Sequence, residues 1–165
     1  MSSHPNEVRI VVAPPEFSDW DGLMILLRSA YAYMESRIDP PSSLLRMDAR
    51  QLEAKARDEV LILALEAERV VGCAFAALRE DCVYVGKVGV AASARRRGVA
   101  RRLMQAAETL ARDRGRAFIE LETRVELLEN HQTFGALGFV KVGESAHPGF
   151  ARPTSITMRK RVIPG

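Results

Sequence analysis

The most concentrated chemistry in the sequence is a run of arginines that precedes a segment of strong helix formers. Residues 95–116 hold eight arginines and two acidic residues, a net +6, whereas the 165-residue chain as a whole carries +3. The rest of the chain is therefore close to −3. Because a nucleic-acid surface spreads its positive charge over a face, this local excess favours a single site for an anionic ligand.

The spacing within this run favours a phosphate as the anion. Apolar residues recur at helical spacing from Val99 onward, so we predict a helix that starts near Arg97 or Gly98. The first N–H groups of a helix lack intrahelical partners and lie at its positive dipole end, where they can surround a pyrophosphate. Small residues at Gly98 and Ala100 let phosphate oxygens approach these amides. Charge-assisted donors are available on Arg95, Arg96, Arg97 and Arg101.

A solvated basic start to a surface helix is the alternative interpretation of the same run. Arginine is poorly placed at a helix N-terminus unless an anion offsets the dipole, so the anion site is preferred. The Lys-Ser/Thr pair of a P-loop is absent, as is a G-x-G-x-x-G with a downstream ribose acid. The sequence therefore disfavours ATP and NAD as the ligand.

Seven β-rich segments and four helical segments surround this run. We predict strands at Val8–Val12, 59–65, Arg69–Leu78, Cys82–Val90, 117–123, 139–142 and 155–158. Helices are predicted from a cap at Asp19, from a cap at Ser43 through Ala56, at 99–114 and at 127–137. Short connections make the second to fourth strands an antiparallel meander. The order along the chain is β-α-α-β-β-β-α-β-α-β-β, an α/β (α+β) fold.

Length and composition fit one domain over residues 1–165. The chain is 47% hydrophobic and 27% charged, which is typical of a globular protein and not of a disordered one. No apolar run is long enough to span a bilayer, and residues 1–15 do not have the pattern of a signal peptide, so we expect a cytoplasmic protein without a membrane partner. Cys73 and Cys82 are predicted to be buried free thiols, and no Cys or His cluster has metal-ligand spacing.

Three sequence elements carry a family resemblance. The motif Arg95-x-x-Gly98-x-Ala100 resembles the Q/R-x-x-G-x-G/A signature of the GNAT superfamily of N-acetyltransferases. Asn130 with Phe134-x-x-x-Gly138-Phe139 is similar to the family's Asn and Tyr-x-x-x-Gly-Phe element. The order of strands and helices is similar to that fold over nearly the whole chain. The resemblance implies a single GNAT-like domain with a mixed, mostly antiparallel seven-stranded sheet flanked by about four helices.

The resemblance also implies acetyl-CoA as the acetyl donor, with no metal. The strand bearing Val88–Val90 would be splayed from its neighbour, its backbone would pair with the pantetheine arm, and the Val90 N–H would polarise the thioester carbonyl. The implied donor-binding residues are Val88, Gly89, Val90, Arg95, Arg96, Arg97, Gly98, Val99, Ala100, Arg101, Asn130 and Phe134. The implied reaction is acetyl transfer to a primary amine of a small molecule or protein, by direct attack in a ternary complex.

The catalytic residues are less well specified by the motifs. Phe134 stands where the family commonly has a tyrosine that protonates the leaving thiolate, and Asn130, His131 or water could assist instead. A base for the acceptor amine is predicted at Glu122, which shares a strand face with Glu120. His131 is the alternative base, because imidazole titrates in the useful pH range.

Predicted acceptor contacts are Tyr31, Tyr84, His147 and Arg152. The two tyrosines could instead belong to the core, and the other two residues to a plain surface loop. Arg152 could pair with an acceptor carboxylate in a bidentate fork, which would favour amino-acid-like amines.

Two other functions fit the same sequence. A non-catalytic acyl-CoA-binding or sensing domain would suit the missing tyrosine. A nucleic-acid binder is disfavoured, because no recognisable motif and no aromatic-rich basic face is present. A homodimer is left open.

Overall fold

A seven-stranded sheet runs through the computed structural model, which describes residues 7–164. Its strands are β1 (Val8–Val12), β2 (Val60–Glu66), β3 (Arg69–Leu78), β4 (Cys82–Val90), β5 (Phe118–Arg124), β6 (Val140–Ser145) and β7 (Ser155–Arg161). The helices are α1 (Trp20–Tyr31), α2 (Ala49–Asp58), α3 (Val99–Asp113) and α4 (Leu128–Ala136). Short 3₁₀ turns cover Ala32–Met34, Ser43–Arg46 and Ala92–Ala94. None of the helices in this described part is long and apolar enough to cross a membrane.

The sheet is mixed, with one parallel pair. The strand order is β1-β2-β3-β4-β5-β7-β6. Every neighbouring pair is antiparallel except β4 and β5, which run parallel. Parallel neighbours need a crossover connection, and α3 supplies it between β4 and β5. The structure confirms the seven strands, the four helices and the mostly antiparallel sheet predicted from the sequence.

Tight turns fix the register of the central meander. Ala67 and Glu68 join β2 to β3 with φ values of 49° and 65°, the left-handed backbone of a two-residue hairpin turn. At the next connection the Arg79 N–H donates to the Cys82 carbonyl at 2.9 Å, which closes the β3–β4 hairpin. The predicted antiparallel meander is therefore confirmed.

Helices cover both faces of the sheet. On one face α3 packs Leu103 into a cluster that contains Val83 of β4. On the other face α1 and α2 pack Leu27 and Leu52 against Phe75 of β3. All five of these side chains are fully buried. The core therefore holds β3 and β4 rigidly from both sides.

The second helix begins later than the sequence predicted. Ser42 caps only the short 3₁₀ turn, by accepting from the Leu44 N–H at 3.2 Å, and the chain is extended at Met47. Helix α2 starts after Asp48, where Asp48 and Gln51 form a capping box with distances of 2.9 and 2.8 Å. The prediction of one continuous helix from Ser43 was wrong because this Asp-x-x-Gln box provides the stronger start signal.

Candidate active site

The strands β4 and β5 diverge after their first three residues. They pair only between residues 82–84 and 118–120. Beyond that point β4 pairs with β3 alone, and β5 continues with β7 as far as Arg124. Two unpaired strand edges therefore face each other across a gap, each with backbone N–H and C=O groups available to a ligand.

A β-bulge in β4 lies where this gap opens. Between the pairs Phe75–Gly86 and Cys73–Gly89, β4 contains one residue more than β3. Lys87 lies in the bulge with a φ of +50°. Bulges bend a strand and increase its twist, so this extra residue turns the end of β4 away from β5.

The backbone of Val90 is directed toward the gap. The Ala91 N–H donates to the Val71 carbonyl at 2.8 Å, and Val90 lies opposite Gly72. In an antiparallel pair, hydrogen-bonded and non-hydrogen-bonded positions alternate, and the groups at the latter point outward. The Val90 N–H is therefore presented at the open edge, as the proposed role in polarising a carbonyl requires.

Gly89 serves the packing of α1. A Cβ at this position would lie 3.0 Å from Leu27 Cδ2 and 3.3 Å from Ala30 Cβ. The missing side chain therefore lets α1 lie close against β4 beside the gap.

The start of α3 lies at the end of the same strand edge. Gly98 is its N-cap with a φ of +73°, and no side chain caps the helix. The first intrahelical bond runs from the Arg102 N–H to the Gly98 carbonyl at 3.1 Å, which leaves the amides of residues 99–101 without helical partners. The first turn contains no acidic residue, and a Cβ on Gly98 would meet no atom within 4 Å. This is an open, positively polarised helix terminus.

A cavity of about 1470 Å³ occupies the gap and reaches the start of α3. The predicted donor-binding residues that line it are Val88, Gly89, Val90, Arg95, Ala100, Arg101, Asn130 and Phe134. The predicted catalytic and acceptor residues that line it are Glu122, Tyr31, Tyr84 and His147. Among residues 7–164, no group of three or more His, Cys, Asp or Glu side chains is placed to hold a metal ion.

Four predicted donor residues lie in the loop and helix start without lining the cavity. Arg96 is exposed and has a left-handed φ of +63°. Arg97 forms an ion pair with Glu66 at 2.5 Å. Val99 is buried in the core, and Gly98 is exposed at the helix cap. Their proposed contribution is therefore through backbone groups rather than side chains.

Two further predicted residues also lie outside the cavity lining. His131 shares a hydrogen bond of 2.9 Å between its Nε2 and the Arg124 carbonyl, so it ties α4 to the end of β5. Arg152 is exposed, with its Nη2 at 3.6 Å from Asp39 Oδ2 and its guanidinium 5.7 Å from the Phe150 ring centre.

Neither Asn130 nor Phe134 has an acidic group that could protonate a leaving thiolate. The Asn130 Nδ2 lies 3.5 Å from Thr123 Oγ1. The Phe134 ring packs edge-on against Phe139 at 5.8 Å between ring centres. A side-chain amide and an aromatic ring therefore occupy the side of the cavity formed by α4.

Other residues that line the cavity carry titratable groups. Burial, together with the nearby Glu122 carboxylate, raises the pKa of Tyr84 to about 12. Burial also raises the pKa of Tyr31. The pKa of His147 is lowered mainly by burial and also by Arg124. Near neutral pH both phenols are therefore protonated, and His147 favours the neutral imidazole.

Sequence reasoning did not identify two cations that line the cavity, Lys87 and Arg124. Lys87 interrupts the apolar run of β4, which was the available signal. Arg124 lies two residues after Glu122, so strand alternation places the two on one face of β5. The bulge that turns Lys87 toward the cavity depends on pairing with β3 and has no local signature.

Sequence comparison assigns the family. A model described as the acetyltransferase (GNAT) family matches residues 20–139. Because this match spans most of the chain, the protein belongs to the GNAT family of acetyltransferases and is an acyltransferase. No curated protein sequence matches it.

Solved structures share the fold at low sequence identity. An aminoglycoside 6′-N-acetyltransferase complexed with coenzyme A has a TM-score of 0.74 at 18% identity, covering 95% of this chain and 98% of that one. PaiA N-acetyltransferase from Thermoplasma acidophilum, in complex with coenzyme A, has a TM-score of 0.78 at 11% identity, covering 94% and 99%. Ribosomal-protein-S18-alanine N-acetyltransferase from Escherichia coli has a TM-score of 0.70 at 16% identity, covering 96% and 97%.

Proposed function

We propose that the protein transfers the acetyl group of acetyl-CoA to a primary amine of a small molecule or protein, by direct attack in a ternary complex. The main observation that supports this proposal is an open strand edge that leads into a helix start without a side-chain cap. An extended arm with amide groups can add to such an edge, and a pyrophosphate can accept from helix-start amides. Coenzyme A joins these two chemical features in one molecule.

The donor site is proposed to use backbone groups first and arginines second. Val88 and Val90 would pair with the pantetheine arm along the β4 edge. The amides of residues 99–101 would bind the pyrophosphate, and Arg95 and Arg101, which line the cavity, would add charge-assisted donors. The bound thioester supplies an activated acetyl group.

The chemistry at the acceptor requires a neutral amine beside a polarised carbonyl. The outward N–H of Val90 is suited to stabilise charge on the carbonyl oxygen. Of the two predicted bases, Glu122 lines the cavity and is exposed to water, so it is proposed to accept the amine proton through a water molecule. His131 is engaged with the Arg124 carbonyl and is better suited to position β5.

The leaving thiolate needs less assistance than an alkoxide would. A thiol has a pKa of roughly 8.5, so its thiolate is already a fair leaving group near neutral pH. Asn130 or water is proposed to donate to the sulfur in the absence of a tyrosine at position 134.

Steady-state transfer measurements test the proposal. The protein is incubated with acetyl-CoA and a panel of polyamines, aminoglycosides, amino acids and peptides, and both thiol release and acetylated product are measured. Glu122→Gln should lower kcat by about 100-fold or more with an unchanged KM for acetyl-CoA, because it removes a base and not a donor contact. Glu144→Gln, on the exposed strand β6, is the control and should match the parent. Binding of acetyl-CoA without transfer to any amine would contradict the proposal.

A further inference from the structure

Two cationic side chains line the cavity, one from each of the two strands that border the gap. Lys87 projects from the β4 bulge, and its Nζ donates to Ser43 Oγ at 2.9 Å. Arg124 ends β5, and its Nη2 donates to the Pro41 carbonyl at 3.2 Å. Both side chains therefore reach one short stretch of chain, residues 41–43, that lies across the gap between the strands.

Neither cation has a carboxylate partner. No ion pair among residues 7–164 involves Lys87 or Arg124, and the Arg124 Nη1 is buried without any hydrogen-bond partner. Burial lowers the pKa of both groups, and the nearby cations Lys55 and Arg124 lower the pKa of Lys87 further against the opposing effect of Glu59. A partly buried guanidinium without a carboxylate partner is costly, so a carboxylate bound beside Arg124 would be bound favourably.

Other charged residues around the cavity differ in this respect. Lys55 pairs with Glu59 at 2.7 Å, and Glu129 pairs with Arg37 through a hydrogen bond of 2.9 Å. Arg46 lines the cavity but is exposed to solvent. The positive charge that is both partly buried and unpaired is thus concentrated at Lys87 and Arg124.

Acidic groups also lie near Arg124. The carboxylates of Glu126, Asp39 and Glu35 favour its charged form, although none forms an ion pair with it within the described chain. The Glu35 Oε2 and Glu126 Oε1 are themselves buried without a hydrogen-bond partner. A purely structural role for Arg124, in neutralising these carboxylates, is therefore the competing explanation that the experiment must separate.

The order of the charged side chains along β5 indicates how a charged ligand would be oriented. Glu122 and Arg124 project from the same strand face, at a separation of roughly 7 Å along the strand. A carboxylate and, two residues further along β5, a cation that is joined by Lys87 match a ligand with an amine at one end and an anion at the other.

We propose that the acceptor is an amino-acid-like amine whose carboxylate binds between Lys87 and Arg124. This inference rests on the proposed acetyl transfer and names its substrate class. The Arg124 guanidinium lines the cavity and would donate to a carboxylate oxygen in exchange for its Nη2 bond to the Pro41 carbonyl. Lys87 adds a single donor from β4, in exchange for its bond to Ser43. The acceptor amine then faces Glu122.

Matched acceptor pairs test this assignment, because two of the pairs differ only by a carboxylate and the third differs only by a phosphate. L-leucine is compared with 3-methylbutylamine, L-phenylalanine with 2-phenylethylamine, and ethanolamine phosphate with ethanolamine, all at saturating acetyl-CoA. The parent protein should prefer each amino acid over its amine by about tenfold or more in kcat/KM, which corresponds to one good charged contact. Equal rates for acid and amine would overturn the proposal, and a preference confined to the phosphate pair would overturn the carboxylate assignment.

Four variants assign the preference to particular residues. Arg124→Gln and Lys87→Met should each raise the KM of the amino acids by about tenfold and leave the kinetics of the plain amines unchanged. Arg57→Gln, an exposed arginine on α2 outside the cavity, should match the parent. Loss of the preference in Arg152→Gln but not in Arg124→Gln would overturn the proposal. So would an Arg124→Gln protein that is less stable yet keeps its preference, since this marks a structural role.

Binding measurements distinguish failure of this inference from failure of acetyl transfer. The same pairs are titrated into the protein–coenzyme A complex by calorimetry. Tighter binding of the acids, lost in Arg124→Gln, supports the carboxylate site even if no amine is acetylated, and the proposed transfer then fails alone. If neither acids nor amines bind or react, the carboxylate site is overturned.

Discussion

Phe134 places an aromatic ring without a hydroxyl where the family pattern has a tyrosine. The ring lines the cavity and packs edge-on against Phe139, so its position is fixed by the core. A hydroxyl added to this ring would extend from a fixed support rather than from a mobile loop.

Phe134→Tyr should leave acetyl-CoA affinity nearly unchanged and keep or raise the transfer rate. The physical reason is that the new hydroxyl adds a proton donor near the leaving sulfur without removing a contact. Steady-state kinetics with one accepted amine provide the measurement. Phe134→Leu is the matched variant, because it alters ring packing without adding a donor. A large fall in kcat for a well-folded Phe134→Tyr protein would show that the site requires an apolar ring.

Individual residues differ in how much the sequence could reveal about them. Cys73 and Cys82 were predicted to be buried free thiols, and the structure confirms both. Burial raises the pKa of Cys73 to about 12, so this thiol is inert near neutral pH. Lys87 and Arg124 were not predicted, although Lys87 interrupts the apolar run of β4 and Arg124 shares a strand face with Glu122. Their exposure to the cavity depends on the bulge and on strands that meet only in the folded chain.

At the level of elements, local patterns were sufficient for most of the fold. Apolar alternation and turn residues predicted the strands and the meander, since these signals act within a few residues. The divergence of β4 from β5 was expected only through the family resemblance. It depends on where a parallel pair between distant segments stops, at residues 84 and 120, and periodicity carries no information on that point.

The start of α3 allows a controlled test of the donor site. Gly98→Glu should abolish the thermal stabilisation that coenzyme A gives the parent, because a carboxylate is placed at the helix-start amides proposed to bind the pyrophosphate. Gly115→Glu is the matched control, since Gly115 follows the other end of α3 with a φ of +70° and open space like that at Gly98. Both variants carry similar backbone strain and the same charge change. Thermal shift with and without coenzyme A is the measurement, and retained stabilisation in Gly98→Glu would contradict the assignment.

On the scale of the whole molecule, ion pairs connect elements that are far apart in sequence. Arg159 of β7 binds Asp81 of the β3–β4 turn through two hydrogen bonds of 2.9 and 3.0 Å, which lowers the pKa of that carboxyl. Arg37 binds Glu129 at the start of α4 and joins the segment after α1 to the far side of the cavity. The first pair links the two halves of the sheet on either side of the gap, and the second links the segment after α1 to α4.

The Arg37–Glu129 pair should make part of the stability dependent on pH. Its hydrogen bond lowers the pKa of Glu129 from an ordinary value of 4.5 to about 2. Because the folded pKa is below the unfolded one, this contribution is fully present above about pH 4.5 and is lost as the pH falls toward 2. Glu129→Gln should therefore lower Tm slightly at pH 7, since exposed pairs contribute little. The difference in Tm between this variant and the parent should disappear in acid. Glu16→Gln, at an exposed carboxylate without an ion pair in the described chain, should follow the parent throughout. Thermal unfolding measured from neutral to acidic pH tests this prediction. A difference in Tm that does not change with pH would refute the role of this pair.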